Sequence, residues 1–409
     1  MSANIKRVQD ILSESALSKI RAPIQRAETF PNAAFTDPDF FNFEVEYLLK
    51  KTWSAVDFSG RISNAGDVQP ITLYGCPILL VRNEHGRLNA FHNVSPYDGC
   101  EIALEEQTGL SNIETPYHGW IYDLDGKLLN ASFFDGSPNP SAQPENVDLV
   151  ALPCAEWMGT VFVSVDPGVE PFDDYLAPVL ENLGNIDFSD LHVGRDPNGN
   201  VMIDELPIKS NWKTVFENYS PNVYHEIFVH KMYRRSDHVP RVDHQRNKQY
   251  EEIVDPHGFI GLSYDNSIGA SFYPSNPFPP ITTQDGEVSQ RNTIANMYPN
   301  WVITVLNQYM RMTVFLPISA DTCTQSIATL YRGESATDPE LVEARVVAAR
   351  GGVVAREEDN AICESIQRAR SSPAFDRHFY SPFWDRPHYT LTNFIANKLV
   401  EALSEICVS

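Results

Sequence analysis

Two segments, FHNVSPYDG at residues 91–99 and TPYHGWIYDLDGKL at residues 115–128, decide how this chain is read. Each carries a proline at a short tip and a glycine just beyond it, Ser95-Pro96-Tyr97 in the first and Thr115-Pro116-Tyr117-His118 in the second, and 17 residues separate Tyr97 from Thr115. Proline and glycine at such spacing mark tight loops. Short apolar runs surround them, PITLYG, CPILLVRN and GTVFVSVD among them, punctuated by turn signals at Asn83-Glu84-His85-Gly86 and Asp125-Gly126. Runs of this length between turns predict a small antiparallel β domain over residues 54–166, with the Pro- and Ser-rich residues 135–145 as a surface loop.

Outward from that domain the pattern changes. Phe41, Val45, Leu48 and Leu49 recur at helical intervals, so residues 39–53 read as an amphipathic helix and residues 1–53 as N-terminal helices packing on the larger domain. Residues 167–409 predict a helix near 173–183, strands around 202–206 and 301–315, and helical stretches near 209–228 and 338–369. That order fits an α+β domain with helices on an antiparallel sheet better than alternating βαβ units.

The chain has 409 residues, 42% of them hydrophobic, enough for two unequal cores. Its 54 acidic and 31 basic residues give a net charge of -23, spread along the chain, which argues against nucleic acid or an anionic membrane as partner. No apolar run reaches the roughly 20 residues of a membrane span, and the N-terminus lacks a secretion signal, so a cytoplasmic location is expected. Cys76, Cys100, Cys154, Cys323, Cys363 and Cys407 have no paired spacing and read as reduced thiols.

The two tip loops, with their spacing, closely resemble the cluster loops of the Rieske ring-hydroxylating oxygenase family. In that family the patterns C-x-H and C-x-x-H hold a [2Fe-2S] cluster through two Cys and two His. The corresponding positions here are Ser95, Tyr97, Thr115 and His118. Hydroxyl oxygens are hard ligands compared with thiolates, and a phenol offers no imidazole nitrogen. The expectation is therefore a degenerate site with no [2Fe-2S] cluster. Cys100 and His92 lie nearby but off the tips, and His118 reads as a residue kept for packing or hydrogen bonding.

A second site lies in NWKTVFENYSPNVYHEIFVH, residues 211–230, where His225 and His230 are spaced H-x4-H. At about 100° per residue they point roughly 140° apart on an unbroken helix, so they meet on one metal only if the helix ends or bulges between them. Pro221 makes an irregularity plausible. Taken alone, such a pair is more often a surface or packed feature. The segment resembles the family's iron-binding helix, in which two His and one distant carboxylate form a facial triad with open positions. AREEDNAICESIQRARSSPAF, residues 355–375, resembles the distal helix of the subgroup acting on quaternary amines and aromatic acids. Asp359 aligns with the ligand there, Glu358 is the near alternative, and Glu364 reads as a solvated residue. NMYPNWVITVL, residues 296–306, is also family-like, so the resemblance spans about residues 40–375.

The resemblance implies a helix-grip-like catalytic domain, mononuclear Fe(II) on His225, His230 and Asp359, and functional roles for Asn218 and Asn222. Asn218 is retained from the family, whereas Asn222 replaces a carboxylate that links a neighbouring subunit's cluster to the iron. Three functions follow. The favoured one is an oxygenase subunit in a trimer or hexamer, working with a cluster-bearing homologue and a reductase or ferredoxin on a small aromatic or N- or O-methylated substrate. The others are an autonomous metal enzyme acting without a cluster and a non-catalytic structural or regulatory subunit. Three converging ligands would weigh against the last.

Overall fold

The computed structural model describes residues 3–184, 186–219, 223–231, 241–267 and 277–408. It divides into two units, Lys50–Glu170 and the combination of Met1–Leu49 with Pro171–Ser409.

The smaller unit is built from ten short strands: β1 (Ser54–Phe58), β2 (Val68–Leu73), β3 (Cys76–Arg82), β4 (Leu88–His92), β5 (Ile113–Glu114), β6 (Ile121–Tyr122), β7 (Leu128–Asn130), β8 (Ala151–Leu152), β9 (Cys154–Trp157) and β10 (Thr160–Val163). They form three antiparallel sheets in the orders β1-β10-β9, β2-β3-β4-β8 and β5-β6-β7. The turn read at Asn83 is closed by its own side chain, whose Oδ1 accepts from the amides of His85 and Arg87. Asp125-Gly126 turns the next hairpin. Gly126 has φ +80°, and a Cβ there would lie 2.6 Å from the Phe91 ring, so only glycine fits. Val68, Leu79, Phe91, Trp120 and Tyr122 fill the core beneath the two tip loops.

The larger unit opens with α1 (Ala3–Ile11), α2 (Glu14–Ile20), α3 (Ala33–Thr36) and α4 (Pro38–Tyr47). Asp37 caps α4 by accepting from the amides of Asp39 and Phe40, and Pro38 occupies the first turn. The helix is shorter than its apolar pattern suggests, because the chain tightens into a 3-10 turn at Leu49–Lys51 before entering β1. Beyond the smaller unit come α5 (Phe172–Leu183), β11 (Leu191–Val193), β12 (Ile203–Ile208), α6 (Trp212–Tyr219) and α7 (Val223–Val229). They are followed by β13 (Glu251–Val254), β14 (Phe259–Asp265), β15 (Arg291–Met297), β16 (Trp301–Val305), β17 (Met310–Ser319), β18 (Thr322–Arg332), α8 (Val342–Ala369) and α9 (Arg386–Val408). The strands form one eight-stranded antiparallel sheet in the order β11-β18-β17-β16-β15-β14-β13, with β12 also on β18. This is the expected α+β architecture. No helix among the described residues is long and apolar enough to cross a membrane.

One buried ion pair ties the N-terminal helices to this unit. Lys213 Nζ of α6 lies 2.8 Å from both carboxylate oxygens of Glu44 in α4, Trp212 Nε1 donates to Glu44 Oε2 at 3.0 Å, and the Phe35 and Phe40 rings flank the ammonium. Burial pushes Glu44 up and Lys213 down, and their mutual attraction opposes both. Lys213→Met, which strands the Glu44 carboxylate, should lower the unfolding free energy by about 3–5 kcal/mol, whereas the double variant with Glu44→Leu should recover most of that loss. Denaturant unfolding of both variants checks this, and equal losses in the two would rule out a stranded charge as the cause.

Candidate functional site

The two tip loops of the smaller unit clasp each other. Tyr97 from the first stacks on Trp120 from the second at 4.5 Å, and His118 Nδ1 of the second meets Asp98 Oδ2 of the first at 2.5 Å. The hydroxyls at the tips are turned inward. Ser95 Oγ accepts from the amides of Tyr97 and Asp98 at 3.3 and 3.4 Å, and Thr115 Oγ1 accepts from the Trp120 amide at 3.0 Å. Both residues are buried, and each holds its loop closed as a side-chain turn. The partner of His118 in this contact is Asp98, a residue that no pattern in the sequence singled out.

In the larger unit the sequence separates His225 and His230 from Asp359, and the fold reunites them. Their ligating atoms all lie within 4.8 Å of one another, and no other such group of His, Cys, Asp or Glu occurs among the described residues. Asp359 Oδ1 stands 3.5 Å from His225 Nε2 and 3.6 Å from His230 Nε2. Two ligands at about 2.1 Å from one ion, at right angles, would be roughly 3 Å apart, so a small inward movement completes the arrangement. Asp359 Oδ1 is buried without a hydrogen-bond partner, a costly state for a carboxylate oxygen unless a cation faces it. The donor set therefore fits a divalent metal of the 2-His-1-carboxylate kind.

The local folding explains how this comes about. The helix α7 ends at Val229, so His230 sits one residue past it, its amide bonded to Glu226 O at 3.1 Å. The helix therefore ends between the two histidines, where the imidazoles converge; Pro221 lies outside the described residues. On its other side α7 is held by a buried bridge of 2.5 Å between Glu226 and Arg241, whose guanidinium lies over Tyr264. The helix α8 is registered on the sheet by Asn360 Nδ2, which donates to Gln325 Oε1 at 2.9 Å, and by the Arg356–Asp204 ion pair.

Glu358, the alternative ligand, has a different place. Its Oε2 lies 3.2 Å from His230 Nδ1, on the far side of the ring from the Nε2 that faces Asp359. A carboxylate there accepts the Nδ1 proton and leaves Nε2 as a free donor of electrons to a metal. Asn218 is half-buried near the end of α6, and its side chain makes no hydrogen bond among the described residues. Asn222 lies outside the described residues.

Comparison with known proteins adds the family. Residues 196–400 match the profile of the ring hydroxylating alpha subunit catalytic domain, and residues 52–139 that of the Rieske [2Fe-2S] domain. Chloroplastic choline monooxygenase of Atriplex hortensis is 26% identical over 86% of this chain and 74% of its own length. The carnitine monooxygenase oxygenase subunit of Escherichia coli K12 is also 26% identical, over 86% of both chains. Among solved structures, a quaternary ammonium Rieske monooxygenase in complex with L-carnitine superposes with a TM-score of 0.72 at 21% identity, covering 93% of this chain and 98% of that one. Naphthalene 1,2-dioxygenase from Rhodococcus sp. gives a TM-score of 0.72 at 17% identity, covering 98% of each. At such identities the superpositions establish the fold.

These matches correct one expectation. The absence of a [2Fe-2S] cluster was inferred from four loop-tip side chains, whereas residues 52–139 as a whole match the Rieske [2Fe-2S] domain. The family evidence assigns a cluster alongside the mononuclear iron. The tip side chains themselves do not supply the usual two thiolates, since Ser95 and Thr115 spend their hydroxyls on backbone amides, and no step below is routed through the cluster.

The clasp between the loops has a defined pH dependence. Burial raises the Asp98 carboxyl, but hydrogen bonds from His118 and the Cys100 amide outweigh it and hold the group below the usual carboxylate range. A depressed carboxylate contributes stability above its unfolded value and loses it as pH falls through the folded one. Asp98→Asn should therefore lower the melting temperature at pH ~6, and the deficit should shrink below pH ~4. A deficit independent of pH in thermal scans would assign the effect to packing.

Proposed function

Because the chain belongs to the ring-hydroxylating alpha-subunit family, we propose that it is the iron-bearing catalytic subunit of an oxygenase that acts on a small quaternary ammonium compound. The observation that carries this reading is the convergence of His225, His230 and Asp359 around a buried carboxylate oxygen that has no other partner. The substrate class is supported by the choline and carnitine monooxygenases among the chain's relatives, whose named substrates share a trimethylammonium group.

In this reading His225 and His230 present their Nε2 atoms and Asp359 its Oδ1 to one ferrous ion, leaving further coordination positions open. Such an ion, when bound, supplies the activation of dioxygen, with electrons delivered by a separate reductase or ferredoxin. The chain's own residues orient and enclose. Glu358 holds the Nδ1 proton of His230, with Lys231 Nζ 3.8 Å from its other oxygen. Phe216, Phe315 and Tyr219 pack together beside the triad's helices and keep water from that wall. Assembly as a trimer or hexamer belongs to the same proposal.

Full-length protein reconstituted anaerobically should take up about one Fe(II) or Co(II) per chain. His225→Ala and Asp359→Ala should abolish that uptake, while Glu358→Gln should keep the stoichiometry and weaken affinity about 10–100-fold. With a reductase and ferredoxin, oxygen consumption should respond to trimethylammonium compounds. Full metal occupancy in Asp359→Ala would dismiss the ligand set, and oxygen uptake only with neutral aromatic substrates would dismiss the substrate class.

A further inference from the structure

The helix that presents His225 and His230 is too short to hold itself. α7 has seven residues, and an isolated helix of that length is unstable in water. Its outward side chains Tyr224 and Phe228 are exposed, so its place is set by the stripe it buries, Val223 and Glu226, with His230 continuing the same stripe one residue beyond its end. Val223 packs on Leu262 and Tyr264 of β14. Next on that stripe stands a carboxylate, where an amphipathic helix ordinarily presents an apolar side chain. Glu226 is 7% exposed, and Arg241 meets it at 2.5 Å.

A buried ion pair contributes little net stability against apolar side chains of the same volume, so stability alone gives no reason for this one. A pair does what apolar contact does not: it selects one register. Two buried charges lose each other on a small slide or rotation, whereas apolar burial is non-directional.

Arg241 is itself held under strain. Its φ is +58°, and among the described residues it is the one buried residue other than glycine in the left-handed region. Glycine adopts that conformation freely, and a residue with a Cβ does not. The backbone there is pinned, since the Gln249 amide donates to Arg241 O at 2.8 Å and Val242 pairs with Lys248 in an antiparallel bridge. The guanidinium carbon lies 4.1 Å from the centre of the Tyr264 ring, so one buried tyrosine of β14 seats both the apolar and the charged part of the inner stripe of α7. Strained residues persist where their surroundings over-determine them. An arginine at a position that favours glycine places the requirement on its side chain.

Glu226 in turn is coupled to both imidazoles. It follows His225 directly, and its carbonyl accepts the His230 amide at 3.1 Å, the bond that closes the last turn. We propose that Arg241 is a positioning residue of the metal site: acting through Glu226, it fixes the rotation and height of α7 on β14, and with them the angle at which His225 and His230 meet Asp359. This rests on the reading of the triad as a metal site and adds the element that orients it.

Co(II) calorimetry, the EPR spectrum of the high-spin Co(II) form and the melting temperature, all on full-length protein, test this together. In the double variant Glu226→Leu with Arg241→Met, apolar side chains replace the pair, so the melting temperature should stay close to that of the wild type. Its Co(II) affinity should nevertheless fall about 10- to 100-fold, and the spectrum should broaden as the imidazoles lose a single geometry. Arg241→Lys keeps the charge but not the planar contact with Tyr264, and should fall between the two. A double variant as stable as the wild type that binds Co(II) with wild-type affinity and spectrum overturns the proposal and leaves the triad standing. Should the double variant fail to fold, Arg241→Lys decides: a weakened and broadened site in a folded protein supports the proposal, and wild-type affinity and spectrum overturn it. Absence of Co(II) uptake by the wild type overturns the triad reading, and the proposal with it.

Discussion

His225 and His230 can address one metal only because α7 stops at Val229, one residue before the second of them. On a continuing helix their side chains would diverge by roughly 140°. The remainder of the larger unit follows from holding that helix end against Asp359. The bridge between Glu226 and Arg241 anchors α7 from behind, and Asn360 on Gln325 sets the height of α8 on β18 at the residue beside the carboxylate. A slip of α8 by one residue would rotate Asp359 by about 100° and bring Glu358 or Asn360 toward the imidazoles instead.

Three charge pairs inside this unit join elements far apart in sequence. Glu44 and Lys213 fasten α4 to α6, Asp204 and Arg356 fasten β12 to α8, and Glu358 reaches from α8 to the ring of His230. Buried pairs of this kind add little net stability against an apolar alternative, but they penalise every arrangement that separates the partners.

The smaller unit obeys a different constraint. Its two tip loops are held together by the Tyr97–Trp120 stack and the Asp98–His118 contact, and closed individually by hydroxyl-to-amide hydrogen bonds of Ser95 and Thr115. The strands and turns that carry those loops belong to the Rieske domain as a whole, which is why the match over residues 52–139 outweighs an inference drawn from four side chains.

Much of the architecture was legible in the linear pattern, because it rests on local chemistry. The β runs between turn signals, the Asp37-Pro38 start of α4 and the helical stretch of α8 each depend on neighbours within a few residues. So were the identities of His225, His230 and Asp359 as candidates, since residue type limits which groups can hold a metal. What the sequence could not settle were the facts that depend on where distant segments meet. The choice between Glu358 and Asp359 turned on about 100° of helix rotation, which the contact of α8 with β18 decides. The end of α7 at Val229, between the two histidines, carried no signal of its own. Side-chain chemistry is written in the chain, but whether two such side chains share a site depends on packing, which the sequence specifies only through the whole fold.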